Sequence, residues 1–463
     1  MNTTKTYTLS AKAVTFPTVF LYALLIHAFM LIFDWLHPDV FLLGDRSIIR
    51  LYTLEGLINV MDKPDILANY ISGHGIVGDY FFQGIIYKVI GQYGLIVFQL
   101  LLNFAAIYAL FRLTFFLTRS NLVAFVSAIL FIHLPHFLVF PHMLVSEAFF
   151  NPLLILSFWT LSLYVMKPER LRIIVLSGML LGIATLIRPI TALWPFIVIG
   201  ALLITNRFSA KHLIPCSIYT FAAVAPLILW MCFIFSQTGH FSMGESNHDA
   251  KHNLFNRVDR INRSLPASEQ QSVYNDYLSK DPLQGNILSL SEYLRFGSEY
   301  PVHFAKYLSK DLISFSFKSG INRLTLDYFS YKNKSREAIQ NPKSGYRHIW
   351  DTQGFIAALK FVLARAPLIT IITLTGSVIY ALFFMFALKG AVHIWIRKKL
   401  LRTEQNVLLI LIGLFPIYVF TVSQIVDAMQ SRHRSPAEFA ICIFAAFGIF
   451  SLSRLKRFQK FAW

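Results

Sequence analysis

The chain has 463 residues, of which 56% are hydrophobic and 14% charged, with a mean hydropathy of +0.56 and a formal net charge of +18. A soluble protein of this size carries roughly a quarter charged residues. The composition therefore excludes a soluble globular fold and predicts an all-α polytopic membrane protein. Transmembrane barrel strands are excluded as well, because the apolar runs reach about 20 residues and do not alternate. The positive charge does not point to nucleic acid: cations sit in short clusters beside apolar runs, as topology signals and lipid-headgroup contacts do. Cys216, Cys232 and Cys442 all fall inside apolar spans and indicate neither a disulfide framework nor a CxxC metal site.

In chain order, Lys5 and Lys12 precede a first apolar run that ends in Phe33-Asp34-Trp35-Leu36 without a small-residue cleavage site, which reads as a retained signal anchor. Apolar spans follow the pattern 15–33, 94–113, 122–138, 146–165, 173–187, 190–205, 213–235, 368–388, 407–425 and 436–450, about ten crossings. Every second connection is basic: Arg112 and Arg119, then Lys167, Arg170 and Arg172, then Arg207 and Lys211, then Arg397, Lys398, Lys399 and Arg402. With Arg454, Lys456, Arg457 and Lys460 near the end of the sequence, the positive-inside rule predicts both termini in the cytoplasm. The reading divides the chain into a membrane module 1–236 with a first outer loop at 37–93, an extracytoplasmic segment 237–366, and C-terminal membrane helices 367–463. Within 237–366, residues 268–280 read as a surface helix, 300–317 as an interfacial amphipathic helix, and 247–262 and 332–343 as loops.

The first loop collects Asp45, Arg46, Arg50, Glu55, Asp62, Asp65, His74 and Asp79 beside an apolar span, which is where chemistry at a lipid surface is expected. Asp45 follows an apolar Phe41-Leu42-Leu43 patch that would hold it near headgroup level; a solvated loop acid is an equal reading of the same position. Residues 73–78 spell GxGxxG, but no strand precedes them and no acidic residue lies between Asp79 and Glu147, so this is a turn and not a dinucleotide site. Glu147 opens a span after Ser146, a position that favours an acid through the helix dipole and leaves it near the same membrane face as Asp45. Arg188-Pro189 forms a tight outward turn, leaving the guanidinium a lipid phosphate or a nearby acid to hold, or headgroups to snorkel towards. The corner Gln430-Ser431-Arg432-His433-Arg434 is basic on the outward side, against the rule, which suggests an anion there. His133, His136 and His142 lack a recognisable zinc spacing, and structural roles are favoured for them.

Taken in order, Gly44-Asp45-Arg46, Asp79-Tyr80-Phe81-Phe82, Ser146-Glu147, the run from Leu180 to Pro189, and Ser431-Arg432-His433-Arg434-Ser435-Pro436 resemble the GT-C glycosyltransferases. The likeness is to the branch holding protein O-mannosyltransferases, lipid A aminoarabinose transferases and bacterial O-antigen-modifying transferases. It covers roughly two thirds of the chain and omits 236–367. Two departures stand out: Arg46 where many relatives have a second acid, and Tyr80-Phe81-Phe82 where a proline pair is common. The resemblance implies a GT-C-like helical membrane fold with amphipathic juxtamembrane helices, in a bacterial inner membrane. It implies an inverting transfer of a sugar from a polyprenyl phosphate donor to a lipid, glycan or protein acceptor on the extracytoplasmic side. Asp45 would be the general base, with Arg46, Arg50, His74, Asp79, Glu147, Arg188, Arg432 and Arg434 around the donor phosphate and substrate. No cofactor is implied, and a divalent metal requirement stays open. A transporter or flippase of a lipid-linked or anionic substrate, and a glycan polymerase or ligase using a diphosphate-linked donor, are the competing expectations.

Overall fold

In a computed structural model of the protein, the structure describes residues 15–36, 55–57, 59, 78–205, 213–239, 246–278, 288–317, 349, 355–365, 367–397, 403–426 and 431–452. Each of the ten apolar stretches is helical, and the described residues contain no strand. Helix α1 is Phe16–Leu36, α2 Gly78–Thr118, α3 Asn121–Ile132, α4 Pro135–Val139, α5 Glu147–Met166, α6 Leu171–Ile187, α7 Trp194–Thr205 and α8 Leu213–Thr238. After the polar segment come α13 Phe355–Arg365, α14 Pro367–Arg397, α15 Thr403–Val426 and α16 Glu438–Leu452, with α9 to α12 between. The chain is an all-α polytopic membrane protein.

Among the described residues, seven helices are long and apolar enough to cross a membrane, or eight if Asn121–Ile132 and Pro135–His142, bent by 69°, form one span. The other two expected crossings are the shorter helices Leu171–Ile187 and Pro189–Ile204. Their shortness has a local cause. Proline disfavours helical backbone in the residue before it, and Arg188 before Pro189 is extended at φ −143°, ψ 114°. In α2, Gly91 adopts φ +68°, ψ −174° and splits the helix into a short leading piece and a long span. A side chain rarely adopts that backbone conformation, so the kink belongs to a glycine.

Helices α5 and α16 form the centre. The window of Arg434–Ser451 is 78% buried and that of Glu147–Met166 72%, against 17% for Thr370–Ile396, which places α14 at the lipid-facing rim. Phe158, Trp194, Phe415 and Phe439 meet edge-on or tilted in the middle of this core, with ring centroids 4.7 to 5.8 Å apart. Lipid tails are as apolar as leucine, so helix association here relies on close packing and buried polar contacts rather than on the hydrophobic effect. The contact of α14 with α16 shows this clearly: a Cβ on Gly390 would run into the Phe444 carbonyl, and one on Gly448 into the Phe386 carbonyl. Because both obstacles are backbone, Gly390→Ala and Gly448→Ala are each expected to lower stability by about 1–3 kcal/mol, the usual cost of overpacking. Thermal unfolding in detergent measures this, and an unchanged midpoint for both would refute the packing account.

Between α8 and α13, α9 spans Ser246–Asn262, α10 Ala267–Val273, α11 Leu290–Glu299 and α12 Pro301–Phe317. The loop expected at 247–262 is thus a helix. Its apolar stripe of Leu254, Val258 and Ile261 is buried with Leu265, Val273, Tyr277, Tyr293 and Phe296 in a small separate core. The stripe follows helical spacing but is outnumbered by polar neighbours, which is why composition alone suggested a loop. The helix at 301–317 forms as expected, that at 268–280 does so within Ala267–Val273 followed by a π-turn, and 332–343 lies outside the described residues. A capping box starts α11: Ser289 Oγ accepts from the Glu292 amide, and Glu292 accepts from the Ser289 amide at 2.9 Å. Tyr277 accepts a hydrogen bond from Arg295 Nε and donates to Glu299 at 2.7 Å; burial, reinforced by Glu299, pushes its hydroxyl up to about 12.

Arg257 fixes this segment to the bundle. Its side chain is 1% exposed; Nη2 donates to the Ser423 carbonyl at 3.3 Å and Nη1 lies 3.5 Å from Asp311 of α12. Ser423 stands in the last turn of α15, where helix carbonyls have no donor of their own and a cation is favoured.

Candidate functional site

Helices α5 and α6 are antiparallel neighbours, locked midway by two reciprocal bonds. Ser157 Oγ donates to the Ser177 carbonyl and Ser177 Oγ to the Ser157 carbonyl, both at 2.9 Å. Glu147 is ten residues back from Ser157 and Arg188 eleven on from Ser177, so this register brings the two to the same end of the bundle. There Arg188 Nη1 lies 2.7 Å from Glu147 Oε1, with side-chain exposures of 17% and 6%. The Arg188 guanidinium also stands 5.9 Å from the centre of the Phe150 ring. The acid that the sequence left open as a partner for Arg188 is therefore Glu147. Ser146 at the N-cap makes no side-chain capping bond to the backbone; its hydroxyl donates to Glu147 at 3.2 Å.

The turn after Arg188 is held from a distant helix. Tyr418 donates to the Ile190 carbonyl at 2.7 Å and accepts from the Leu193 amide at 3.3 Å, while Thr185 and Thr191 share a 2.8 Å hydroxyl bond. The first loop reaches this place. Leu57, fully buried, packs in one cluster with Leu186, Trp230 and Ile234, with Tyr80 against them. Gly78, the first residue of α2, abuts Leu186 so closely that an added Cβ would stand 3.1 Å from that side chain. The described piece of the first loop and the start of α2 thus pack in the cluster of Leu186, two residues before Arg188.

A second cluster stands at the same end, wholly buried. Arg434 Nε donates to Glu438 Oε1 at 3.1 Å, and His136 Nδ1 lies 3.0 Å from Glu438 Oε2. All three side chains have 0% exposure, and the Arg434 guanidinium stacks 4.0 Å from the centre of the Tyr380 ring. Asn151, one turn along α5 from Glu147, donates to Ser435 at 3.2 Å and joins the two clusters. Arg434, expected from the basic corner to hold a substrate anion, is paired inside the chain with Glu438, four residues on. A third group, Asp34, His142, His27 and Asn103, links the end of α1 to α2.

Of the residues expected at the site, Glu147 and Arg188 meet directly, and Arg434 lies nearby inside the bundle. Asp79 falls in the first turn of α2 and Arg432 in the 3-10 helix Ser431–Ala437. Asp45, Arg46, Arg50 and His74 lie outside the described residues. The sequence reading missed Asp34, His27, Asn103 and Glu438. Each is a polar residue inside or at the edge of an apolar run, where an unpaired polar group is costly, and that was the available signal. His133 bonds Tyr22 at 2.7 Å, so the three histidines of this corner each have a protein partner. The described residues contain no group of three or more His, Cys, Asp or Glu placed to hold a metal ion.

The basic residues Arg112, Arg119, Lys167, Arg170 and Arg172 flank the opposite ends of α2, α3, α5 and α6. Gln405, which donates to the Phe116 carbonyl at 2.9 Å, ties the start of α15 to that same end. The bundle is thus basic at one end and carries its acid–base clusters at the other.

No protein-family model matches this chain, and no curated protein sequence matches it. Among solved structures it is similar to the apo form of the oligosaccharyltransferase of Archaeoglobus fulgidus, at 14% sequence identity and a TM-score of 0.47. That similarity covers 97% of this chain and 52% of the archaeal one, so the chain spans about half the length of that protein.

Proposed function

We propose that this chain is an integral membrane glycosyltransferase that moves a sugar from a polyprenyl phosphate donor to a lipid, glycan or protein acceptor at the extracytoplasmic face. The observation that carries this reading is the Glu147–Arg188 pair at the end of the bundle opposite the basic connections, with Leu57 of the first loop packed in the cluster of Leu186, two residues before Arg188. A guanidinium in this place is partly desolvated, still 17% exposed, and can exchange its carboxylate for a phosphate, which it can hold through two parallel bonds.

In this mechanism the acceptor hydroxyl oxygen attacks the anomeric carbon while the bond from that carbon to the lipid phosphate oxygen breaks, with inversion. The hydroxyl proton passes to Asp45, and the phosphate, gaining negative charge as it leaves, is stabilised by Arg188. Arg46, Arg50, His74, Asp79 and Arg432 are assigned to substrate binding, whereas Arg434 supports the corner from within. No nucleotide is needed, because the donor carries its own leaving group in the bilayer.

The test is transfer by the purified protein in lipid vesicles, with labelled sugar on monophosphate and on diphosphate polyprenyl carriers in parallel. Transfer from the monophosphate, lost in Asp45→Asn, supports the proposal. Transfer from the diphosphate alone makes the protein a polymerase or ligase. Transport is the second reading, favoured by the buried ionisable chain at Asp34, His142 and His27. Substrate accumulating in sealed vesicles without covalent change would establish that reading instead.

A further inference from the structure

Asp34, His142, His27 and Asn103 form an unbroken hydrogen-bonded chain within the membrane-spanning bundle. Asp34 Oδ2 is 2.5 Å from His142 Nδ1, His142 Nε2 is 2.9 Å from His27 Nδ1, and His27 Nε2 is 3.2 Å from Asn103 Nδ2. Asn103 Nδ2 also donates to the Phe137 carbonyl of α4 at 3.3 Å. The four residues are between 0% and 5% exposed, Asp34 the most. The two imidazoles stack at 5.2 Å, and Phe104 closes on His27 edge-on.

The direction of the bonds is fixed by chemistry. An ionised carboxylate only accepts, so His142 donates to Asp34 through Nδ1 and, if neutral, must accept at Nε2. His27 then donates through Nδ1 and accepts at Nε2, which is what the Asn103 amide nitrogen requires. With neutral histidines every bond is satisfied in one sense only, running from Asn103 to Asp34.

One added proton permits a second complete arrangement. His142 as imidazolium donates to Asp34 through Nδ1 and to His27 through Nε2. His27 takes the other tautomer, accepting at Nδ1 and donating from Nε2, and Asn103 must turn its amide to present Oδ1. That oxygen is buried and has no hydrogen-bond partner in the arrangement observed. The turn costs the bond to the Phe137 carbonyl, which would then face an oxygen. The protonated form pairs Asp34 with a cation and satisfies Asn103 Oδ1, while the neutral form keeps the Phe137 bond. These opposing terms make the element two-state.

We infer that the His27–His142 pair is a binding site for a single proton, taken up from the Asp34 end, whose occupancy reverses the His142–His27 and His27–Asn103 bonds and turns the Asn103 amide against the Phe137 carbonyl of α4. The remaining histidines of the elements around it are engaged elsewhere, His133 with Tyr22 and His136 with Glu438. Since α4 carries both Phe137 and His136, proton binding would bear on the corner that holds the Arg434–Glu438 cluster. The inference goes beyond the glycosyltransferase reading and does not depend on it.

The experiment is nuclear magnetic resonance of the full chain in lipid nanodiscs with nitrogen-15 labelled imidazoles, titrated with acid. Coupling between nitrogens across the hydrogen bond identifies the His27–His142 pair without any variant. The expected result is a single protonation in which His27 exchanges Nδ1–H for Nε2–H as His142 gains the proton, with the Asn103 side-chain amide shifting at the same midpoint. Asp34→Asn removes the counter-charge and should weaken proton binding by about tenfold or more. A His27 tautomer that stays constant over the whole range in which the protein remains folded overturns the inference, as does an Asp34→Asn midpoint equal to that of the wild type. Should Asp34→Asn fail to fold, the tautomer of the wild-type protein decides alone.

Discussion

Replacing Arg188 with alanine is expected to slow transfer from a polyprenyl phosphate sugar by roughly 10²–10³-fold, the usual loss when one preorganised donor to a developing charge is removed. The fold should survive, because Arg188 is partly exposed and its turn is held independently by Tyr418 and Thr191. Arg188→Lys should recover little, since an ammonium cannot reproduce two parallel bonds to a phosphate. Glu147→Gln separates two roles for the acid. If Glu147 only holds Arg188 in the resting state, removing its charge should lower KM for the donor, because the guanidinium no longer has to exchange partners. If it positions Arg188 for the leaving phosphate, kcat should fall instead. Steady-state kinetics in vesicles of defined composition measure both, and an Arg188→Ala enzyme of full activity would remove this residue from the mechanism.

Glu438→Gln is expected to be the most destabilising single substitution in the bundle. It leaves Arg434 and His136 facing a neutral amide at a site with no solvent access, and breaking a buried pair in this way costs about 3–5 kcal/mol. Removing both charges with shape-compatible apolar residues, Glu438→Leu together with Arg434→Met, should cost much less, because neither ion is left unpaired. Thermal unfolding of the two variants side by side measures the difference. A double variant no more stable than Glu438→Gln would mean that the cluster contributes through packing, with Arg434 over Tyr380, rather than through charge.

How much of this was legible in the sequence differs from element to element. The ten apolar stretches and their caps of charge were readable because a bilayer demands long uninterrupted apolar runs. The Glu147–Arg188 pair was half-readable: both residues stood out, but their meeting depends on the register set by Ser157 and Ser177, which no local pattern announces. Arg434 was expected to reach an outside anion, although Glu438 follows four residues later at the start of α16, a spacing that favours an internal pair. The chain from Asp34 to Asn103 joins residues 76 to 115 positions apart, so only the fold reveals it. Helix α9 was lost for the opposite reason, its stripe of Leu254, Val258 and Ile261 being hidden among polar and charged neighbours.

Arg257 gives the polar segment a structural duty towards the membrane part. By donating to the Ser423 carbonyl it serves as a borrowed terminus for α15, whose chain leads directly into the corner of Arg432 and Arg434. Excising the segment would leave that helix end uncovered as well as removing a layer. A shortened chain would then lose order at the corner first, far along the chain from the cut, and its loss of activity would trace to a missing guanidinium instead of a missing binding surface.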